Sequence, residues 1–369
     1  MKNKLHIISL DIPFPANYGG AIDIFYKLKS LAALDVEIIL HCFEYGNRKP
    51  TQELNKYCKQ VFYYKRKTGL WGLDAILPYI VSSRNNKQLL NNLVIDNSPI
   101  LFEGIHTTFL LNHPLLKNRQ KIIRTHNIES EYYQQLARNE NRFFKKLYYS
   151  WENMRLISYE NKLQNANAIL SISKSDAAYF SKKYPSIQTH WVPAFHANDK
   201  VNILEGKGDY CLYHGNLDVA ENKQAIDFLV NEVFVSDMKI RLIISGKSTS
   251  NIEHQTSNIE FIENPSDEKL QALIQHAHIH ILPSMQVSGI KLKLIHALFN
   301  GRFCLVNDPM LVGSELENSV HIANSASEFK QKINELMSQS FTTAMIEERK
   351  NELVKFDNEE NAKQLISNL

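Results

Sequence analysis

Two junctions between a predicted strand and a predicted helix carry glycines suited to anion binding. The first, in "DIPFPANYGGAIDIFYKL", has Gly19 and Gly20 just before a helix that starts at about Ala21; the second, "HGNLDVAEN", has Gly215 and Asn216. Free N–H groups and the dipole at a helix N-terminus favour negative charge, and glycine lets the backbone approach the ligand. The two junctions together predict a site for one anionic ligand. A tight turn with positive φ is the alternative for Gly19-Gly20.

Other chemical motifs are weak. Neither junction matches GxGxxG or GxxxxGK[ST]. His276, His278 and His280 alternate as a metal site would, but the end of a helix and the start of a strand account for them better. No cysteine stands at a metal-binding spacing, which favours reduced thiols in a cytosolic protein. The four are Cys42, Cys58, Cys211 and Cys304.

Composition excludes several classes of protein. The 369 residues are 44% hydrophobic and 22% charged, which is typical of a globular chain of two domains. The net charge of +3 argues against a dedicated nucleic-acid binder. The start, "MKNKLHIISLDIP", predicts a first strand rather than a signal peptide. No stretch approaches the roughly 18 apolar residues of a membrane span, although attachment to a membrane surface stays open.

Strands and helices alternate twice along the chain, which predicts two doubly wound parallel sheets of the α/β class. The polar segment "AFHANDKVNILEGKGD" reads as the linker between them. We therefore expect one domain at 1–195 and a second at 208–355. Ligands in such sheets bind outside the carboxyl ends of the strands, so the two glycine junctions are expected to face each other across a cleft.

A long helical tract from about 129 to 164 mixes both charge signs with many aromatic residues. A helix that packs its aromatic stripe into the first domain is the favoured interpretation. A membrane-facing or partner-binding helix is the alternative.

The ordered set of loops resembles the GT-B glycosyltransferases, particularly the retaining family-four enzymes. The resemblance covers nearly the whole chain. Its motifs are "PFPANYGGA", "RTHNIESEYY", "YHGNLDVAENKQAIDFL", "LIISGK" and "PSMQVSGIKLKLIHALFNGRFCLV". It implies two Rossmann-like domains facing a cleft, an acceptor-binding domain at 1–195 and a nucleotide-sugar-binding domain at 208–355. It also implies that the last helix, at about 356–369, crosses back to the first domain.

The resemblance also implies roles for individual residues. His126 corresponds to a histidine that faces the transferred sugar, and Lys291 and Lys293 to basic positions that neutralise the donor phosphates; these three are the expected catalytic residues. The expected donor-binding residues are Gly19, Gly20, Gly215, Asn216, Gly246, Ser288, Gly289 and His296. The expected acceptor-binding residues are Tyr18, Glu103 and Asn127, and a structural role for Glu103 is equally favoured.

This chain departs from the family at two positions. The family has two glutamates eight residues apart in the donor segment, the second of which commonly binds the ribose hydroxyls. Here Ser288 and His296 stand at those positions. A histidine can still hydrogen-bond a hydroxyl, but it lacks the bidentate geometry of a carboxylate.

The leading hypothesis is transfer of a sugar from a nucleotide-sugar donor to a glycan or lipid-linked acceptor in surface polysaccharide or glycoconjugate synthesis. The resemblance implies a hexosyltransferase that retains anomeric configuration, with no covalent residue, no cofactor and no metal. The expected location is the cytoplasm, with peripheral association at the inner face of the membrane left open. The alternatives are an inactive GT-B subunit that binds glycan or a partner enzyme, and a sugar-nucleotide epimerase.

Overall fold

The computed structural model describes residues 3–235, 238–249, 257–285 and 292–369. The chain forms two compact units, Met1–His196 with Phe356–Leu369, and Ala197–Lys355. Each contains a parallel sheet covered by helices, so the predicted α/β fold class is confirmed. The assignment of acceptor binding to 1–195 and donor binding to 208–355 stays a prediction.

The first unit contains a seven-stranded sheet in the order β3-β2-β1-β4-β5-β6-β7. All of its strand pairs are parallel. The strands are β1 (Lys4–Ser9), β2 (Glu37–Glu44), β3 (Gln60–Lys65), β4 (Ile100–Glu103), β5 (Lys121–Thr125), β6 (Ala168–Ser171) and β7 (Gln188–Trp191).

Helices cover both faces of this sheet. In β4 and β5, Phe102 and Ile123 belong to one core, and Leu101 and Ile122 to the other. Successive side chains of a strand point to opposite faces, so the apolar run within a strand buried on both sides contributes to both cores. The helices are α1 (Gly19–Ala33), α2 (Tyr79–Ser82), α3 (Lys87–Leu93), α4 (Glu129–Asn139), α5 (Phe143–Glu160) and α6 (Lys174–Lys183).

The second unit contains a six-stranded sheet in the order β10-β9-β8-β11-β12-β13, again with parallel pairs. The strands are β8 (Tyr210–His214), β9 (Arg241–Gly246), β10 (Ile259–Glu263), β11 (Ile279–Leu282), β12 (Phe303–Val306) and β13 (His321–Ile322). The helices are α7 (Ala220–Phe228), α8 (Asp267–His276), α9 (Leu292–Asn300), α10 (Asp308–Leu311), α11 (Ala326–Ser338) and α12 (Thr343–Leu353).

The last helix, α13 (Asn358–Ile366), belongs to the first unit. Its Ala362 and Leu365 are fully buried in the core that α1 also covers. Asn358 Nδ2 donates to the carbonyl of His196 over 2.7 Å, and the His196 ring lies 2.9 Å from the carbonyl oxygen of Phe356. The segment in which the chain leaves the first unit, at His196, is therefore hydrogen-bonded to the segment in which it returns, at Phe356 and Asn358.

In the described part of the chain, no helix has both the length and the apolar character required to span a bilayer.

Short 3₁₀ and π turns complete the two units. The 3₁₀ turns are Glu53–Lys56, Gly69–Gly72, Ile105–Leu110, Pro114–Leu116, Asn161–Asn165, Glu317–Ser319 and Val354–Phe356, and the π turn is Leu229–Val233.

Candidate functional site

The first glycine junction lies at the carboxyl end of β1, where α1 begins at Gly19. Neither Gly19 nor Gly20 has a positive φ, so a left-handed turn is not the reason for the glycines. A Cβ on Gly20 would lie 3.2 Å from the Tyr18 ring and 3.8 Å from His126 Nδ1. The N-cap residue of α1, Tyr18, makes no side-chain hydrogen bond to the first N–H groups of the helix.

Beneath this junction lies a buried network of five ionisable side chains, which we call the ion network: Asp23, Lys27, Glu103, Arg124 and His126. Lys27 Nζ bridges the two acids, 2.9 Å from Asp23 Oδ2 and 2.8 Å from Glu103 Oε1. Arg124 Nη2 lies 2.9 Å from Asp23 Oδ1. Both acids and both cations are almost completely inaccessible to water. Buried charges of this kind persist only when each is paired.

The network fixes the His126 ring. Its Nε2 lies 3.0 Å from Glu103 Oε2. Burial raises the pKa of Glu103, but Lys27 and His126 outweigh that effect, and the pKa is lowered overall. Glu103 is therefore ionised and accepts only, so His126 Nε2 carries a proton and donates it. Nδ1, the nitrogen on the side of Gly20, is then the acceptor in the neutral ring.

The ion network also anchors the segment that follows β7. Arg124 donates to the carbonyl of Pro193 over 2.9 Å, and the Phe195 N–H donates to Asp23 Oδ1 over 2.9 Å. Burial raises the pKa of Asp23, but Arg124, Lys27 and His126 together lower it. Asp23 thus remains a carboxylate that ties α1 to the end of the sheet.

Ligand atoms of Asp23, Glu103 and His126 lie within 4.8 Å of one another, as a metal site would require. However, the ammonium of Lys27 already bridges the two carboxylates. A divalent ion would have to displace that buried cation, so the residues do not suit a metal.

The predicted acceptor residues have different environments. Glu103 is fully buried, so it reaches a ligand only through His126. Tyr18 is partly exposed, and its hydroxyl donates to Asp11 over 3.2 Å. Asn127 is half-buried and hydrogen-bonds Glu129, whose pKa is nevertheless raised to about 7 because burial disfavours its charge.

Four of these residues were not predicted. Asp23 and Lys27 stand four apart on α1, a spacing that also fits a surface ion pair. The available signal is that both fall among the apolar, core-facing positions of α1. Arg124 lies within a buried strand, and Glu129 opens α4 immediately after the histidine loop.

The second glycine junction is built by close backbone approach. A Cβ on Gly246 would lie 1.7 Å from the carbonyl oxygen of Gly215, a distance that no side chain tolerates. The Gly215 N–H donates to the carbonyl of Ser245 over 3.1 Å. The carboxyl ends of β8 and β9 therefore meet at two glycines, and the sequence-predicted pair Gly215 and Gly246 lies side by side.

Lys293, in the first turn of α9, is held beside this junction. Its Nζ lies 2.9 Å from Asn222 Oδ1 and 3.2 Å from the Tyr213 hydroxyl. Asn222 Nδ2 in turn donates to the carbonyl of Asn216 over 2.7 Å. We call Gly215, Asn216 and Gly246, together with Tyr213, Asn222 and Lys293, the glycine turn. Lys293 is the cation of this set.

Three neutral histidines line the same end of the unit. His296 Nδ1 lies 2.8 Å from Asn198 Oδ1, so a ligand hydroxyl would have to bond its Nε2. The His214 ring packs edge-on against His296 and His280. Burial lowers the pKa of all three, to about 3 for His280.

Two of the three alternating histidines, His278 and His280, have backbone carbonyl partners. His276 ends α8, and His280 lies in β11. His278 Nε2 lies 2.8 Å from the carbonyl oxygen of Leu336, and His280 Nε2 lies 3.0 Å from that of Ile274. Three further predicted site residues lie outside the described part of the chain: Ser288, Gly289 and Lys291.

Comparison with known proteins assigns part of this chain to a family. Residues 208–339 match the family of Glycosyl transferases group 1. An uncharacterized 44.6 kDa protein in the cps region of Klebsiella pneumoniae is 30% identical over 340 residues, which cover 86% of this chain and 85% of that protein.

Two solved structures show the same fold at low identity. An α,α-trehalose-phosphate synthase (UDP-forming) from Burkholderia vietnamiensis has a TM-score of 0.61 and 8% identity, with 99% of each chain covered. A trehalose-6-phosphate structure from E. coli with UDP-2-fluoro glucose bound has a TM-score of 0.60 and 13% identity, covering 99% of this chain and 98% of the other. The chain belongs to the Glycosyl transferases group 1 and is a glycosyltransferase with the GT-B fold.

Proposed function

We propose that the protein transfers a hexosyl residue from a nucleotide sugar to a glycan or lipid-linked acceptor, in surface polysaccharide or glycoconjugate synthesis. The cps region named for the Klebsiella pneumoniae relative supports this setting. The bond from the anomeric carbon to the leaving phosphate breaks, and a bond from that carbon to the acceptor oxygen forms. The reaction proceeds with retention, without a metal or cofactor, in the cytoplasm at the inner face of the membrane.

The observation that carries the proposal is the position of Lys293. Its ammonium lies at the glycine turn, 2.9 Å from Asn222 Oδ1 and 5.0 Å from the centre of the Tyr213 ring. As the leaving pyrophosphate gains negative charge in the transition state, a fixed ammonium stabilises it without reorganisation. Lys291 adds to this charge in the proposal, and Gly215, Asn216 and Gly246 form the turn that the phosphates approach.

The other proposed roles divide between sugar and nucleoside. Gly19 and Gly20 admit the donor to the start of α1, and His126 hydrogen-bonds the transferred sugar through Nδ1. Tyr18 and Asn127 contact the acceptor, with Glu103 acting through His126. Ser288 and Gly289 lie under the sugar in the proposal, and His296 binds a ribose hydroxyl through Nε2.

Donor binding is the direct test. Thermal stabilisation by a panel of UDP-, GDP- and dTDP-sugars identifies the nucleotide, because a ligand that binds only the native state raises the melting temperature. UDP-sugars come first, since both structural relatives involve UDP. Calorimetry of Lys293→Ala should then show roughly tenfold to hundredfold weaker donor binding, the value of one charged hydrogen bond.

The control is Lys332→Ala, which removes an exposed lysine of α11. It should leave donor affinity unchanged. The product's anomeric configuration, read by NMR, tests retention, and activity in the presence of a chelator tests metal independence. Absence of binding by every nucleotide sugar, or conversion of the donor sugar without an acceptor, would overturn the proposal in favour of an inactive subunit or an epimerase.

A further inference from the structure

Helix α5 exposes an unusual set of side chains on the first unit. Every exposed residue of this helix is apolar, a lysine or a serine. The exposed apolar residues are Phe143, Phe144, Leu147, Trp151, Met154 and Ile157, and the others are Lys145, Lys146 and Ser158.

These side chains form one stripe. Phe144, Leu147, Trp151 and Met154 follow one another at intervals of three or four, which places them on the same side of the helix. The acids of the helix do not interrupt the stripe. Glu152 is buried with Arg155 at 3.2 Å, and Glu160 is buried with Lys183 at 2.6 Å.

The segment after β3 adds a second group of exposed apolar residues. Leu70, Trp71, Leu73 and Ile76 are exposed, and Trp71 retains 88% of its accessible surface. Exposed tryptophan and large aliphatic side chains in this number are rare on a globular surface without a partner.

Arg155 and Glu152 tie this segment to α5. Arg155 Nη2 donates to the carbonyls of Asp74 and Ala75 over 2.6 and 2.7 Å. Glu152 Oε2 accepts from the Tyr79 N–H over 2.7 Å. The exposed apolar residues of the segment and of the helix therefore occupy neighbouring parts of one surface, which we call the aromatic face.

Basic side chains occur in the two elements that carry the aromatic face and at their ends. Two acids also lie there: Asp74 accepts the N–H groups of Ile76 and Leu77, which lowers its pKa, and Glu140 Oε2 lies 3.9 Å from Lys145 Nζ. The exposed cations in the two elements and at their ends are Lys65, Lys67, Arg142, Lys145 and Lys146.

We propose that the aromatic face binds the surface of an anionic lipid bilayer, which would give the proposed inner-face location its structural basis. Apolar side chains with lysines at their margin are the composition that enters the boundary between headgroups and acyl chains. Each lysine near an anionic surface adds attraction that salt weakens. A second copy of the chain fits less well, because it would bring basic groups against basic groups.

Vesicle co-sedimentation with the full chain tests the proposal. The wild type should sediment with vesicles of phosphatidylglycerol and phosphatidylcholine in equal parts, and far less with phosphatidylcholine alone. Trp71→Ser/Phe144→Ser should bind roughly thirtyfold more weakly, since two aromatic side chains no longer leave water. Lys145→Ala/Lys146→Ala should lose on the order of tenfold on anionic vesicles only, and that loss should vanish at high salt.

The matched control is Ile95→Ser/Leu115→Ser, which removes two exposed apolar side chains elsewhere on the same unit. It should bind vesicles like the wild type. Circular dichroism and the melting temperature check that every variant folds. Donor binding without vesicles should be equal in the wild type and the aromatic-face variant, which separates this proposal from the proposed function.

Three results would overturn the proposal. They are failure of the wild type to bind anionic vesicles, equal loss of binding in the Ile95→Ser/Leu115→Ser control, and a wild-type dimer in solution that Trp71→Ser/Phe144→Ser converts to a monomer while vesicle binding is absent in both. The last result would assign the aromatic face to a contact between copies of the chain.

Discussion

The ion network of the first unit and the glycine turn of the second hold their functional groups by opposite means. Around His126, two acids and two cations are buried together and neutralise one another. Around Lys293, the Asn222 amide and the Tyr213 hydroxyl are neutral partners, and the decisive feature is the missing side chain at Gly246.

The difference teaches where each region is vulnerable. A buried charge that loses its partner keeps its desolvation cost, so the ion network should be sensitive to loss of charge. A turn made by backbone contact has no room to expand, so the glycine turn should be sensitive to added volume. Each prediction below tests one side of this contrast, from the largest expected effect to the smallest.

Removal of the bridging cation should have the largest effect. Lys27→Met leaves the Asp23 and Glu103 carboxylates buried without their shared ammonium partner. We expect the free energy of unfolding at pH 7 to fall by about 3–5 kcal/mol. The control on the same helix, Lys29→Met, changes a half-buried lysine outside the ion network and should cost less than about 1 kcal/mol. Urea unfolding followed by circular dichroism gives both values.

The pH dependence of this loss tests its cause. The pKa values of Asp23 and Glu103 are lowered in the folded wild type, so the stability they contribute is present above their unfolded pKa values, about 4, and lost as pH falls. Without Lys27, those pKa values rise. The difference in the free energy of unfolding between variant and wild type should therefore narrow below pH 4. A difference that stays constant with pH would point to a simple packing defect.

Addition of one methyl group to the glycine turn should lower the stability of the protein. Gly246→Ala places a Cβ against the Gly215 carbonyl, and we expect a loss of about 3 kcal/mol, at the upper end for overpacking. Gly20→Ala, at the other junction, meets only the edge of the partly exposed Tyr18 ring and should cost about 1 kcal/mol or less. Equal losses in thermal unfolding would show that the two junctions are not built differently.

Glu129 is a buried acid outside the ion network, and it should respond in the opposite direction. Its pKa is raised to about 7, so the folded state prefers the protonated form, and stability is lost as pH rises from about 4.5 through 7. Glu129→Gln should therefore raise the free energy of unfolding by about 2–3 kcal/mol at pH 8 and leave it unchanged at pH 4.5. Glu131→Gln, exposed on the same turn of α4, is the control and should show no such pH dependence.

Much of the fold could be predicted because most strands are buried on both faces and appear as short apolar runs. The predicted helix from Ala21 to about Leu34 is α1. Strand β3, "QVFYYK", was missed because it is a half-exposed edge strand, and α12 because its sequence is mostly polar. The predicted tract over 129–164 is two helices, α4 and α5, separated near Glu140.

The site could be predicted only in part, because some of its contacts join residues that are far apart in the sequence. The glycines that follow β1 and the histidine that follows β5 are local signals, and the order of the strands in the sheet brings them together. The partners of His126 are not local. Lys27 belongs to α1 and Glu103 to β4, and only the packing of that helix on that strand shows that Lys27 bridges buried acids.

The smallest predicted effect concerns catalysis and depends on the proposed role of His126. Glu103 touches no ligand itself, so we expect it to act as a positioning residue that keeps the proton on His126 Nε2. In Glu103→Gln the amide no longer favours that tautomer, and kcat should fall about tenfold while KM for the donor stays within about twofold. Steady-state kinetics below the melting temperatures of all variants would measure both.

Lys27→Met is the matched control for this last prediction, because it disturbs the same network but leaves the Glu103–His126 contact in place. If the loss of kcat in Glu103→Gln reflects only a weakened network, Lys27→Met should lose at least as much, since we expect its stability to fall further. A near-normal kcat in Lys27→Met together with a low kcat in Glu103→Gln would assign the effect to the orientation of the histidine. It would also show that, in the first unit, charges that stabilise the fold and a charge that serves catalysis can be separated within one buried network.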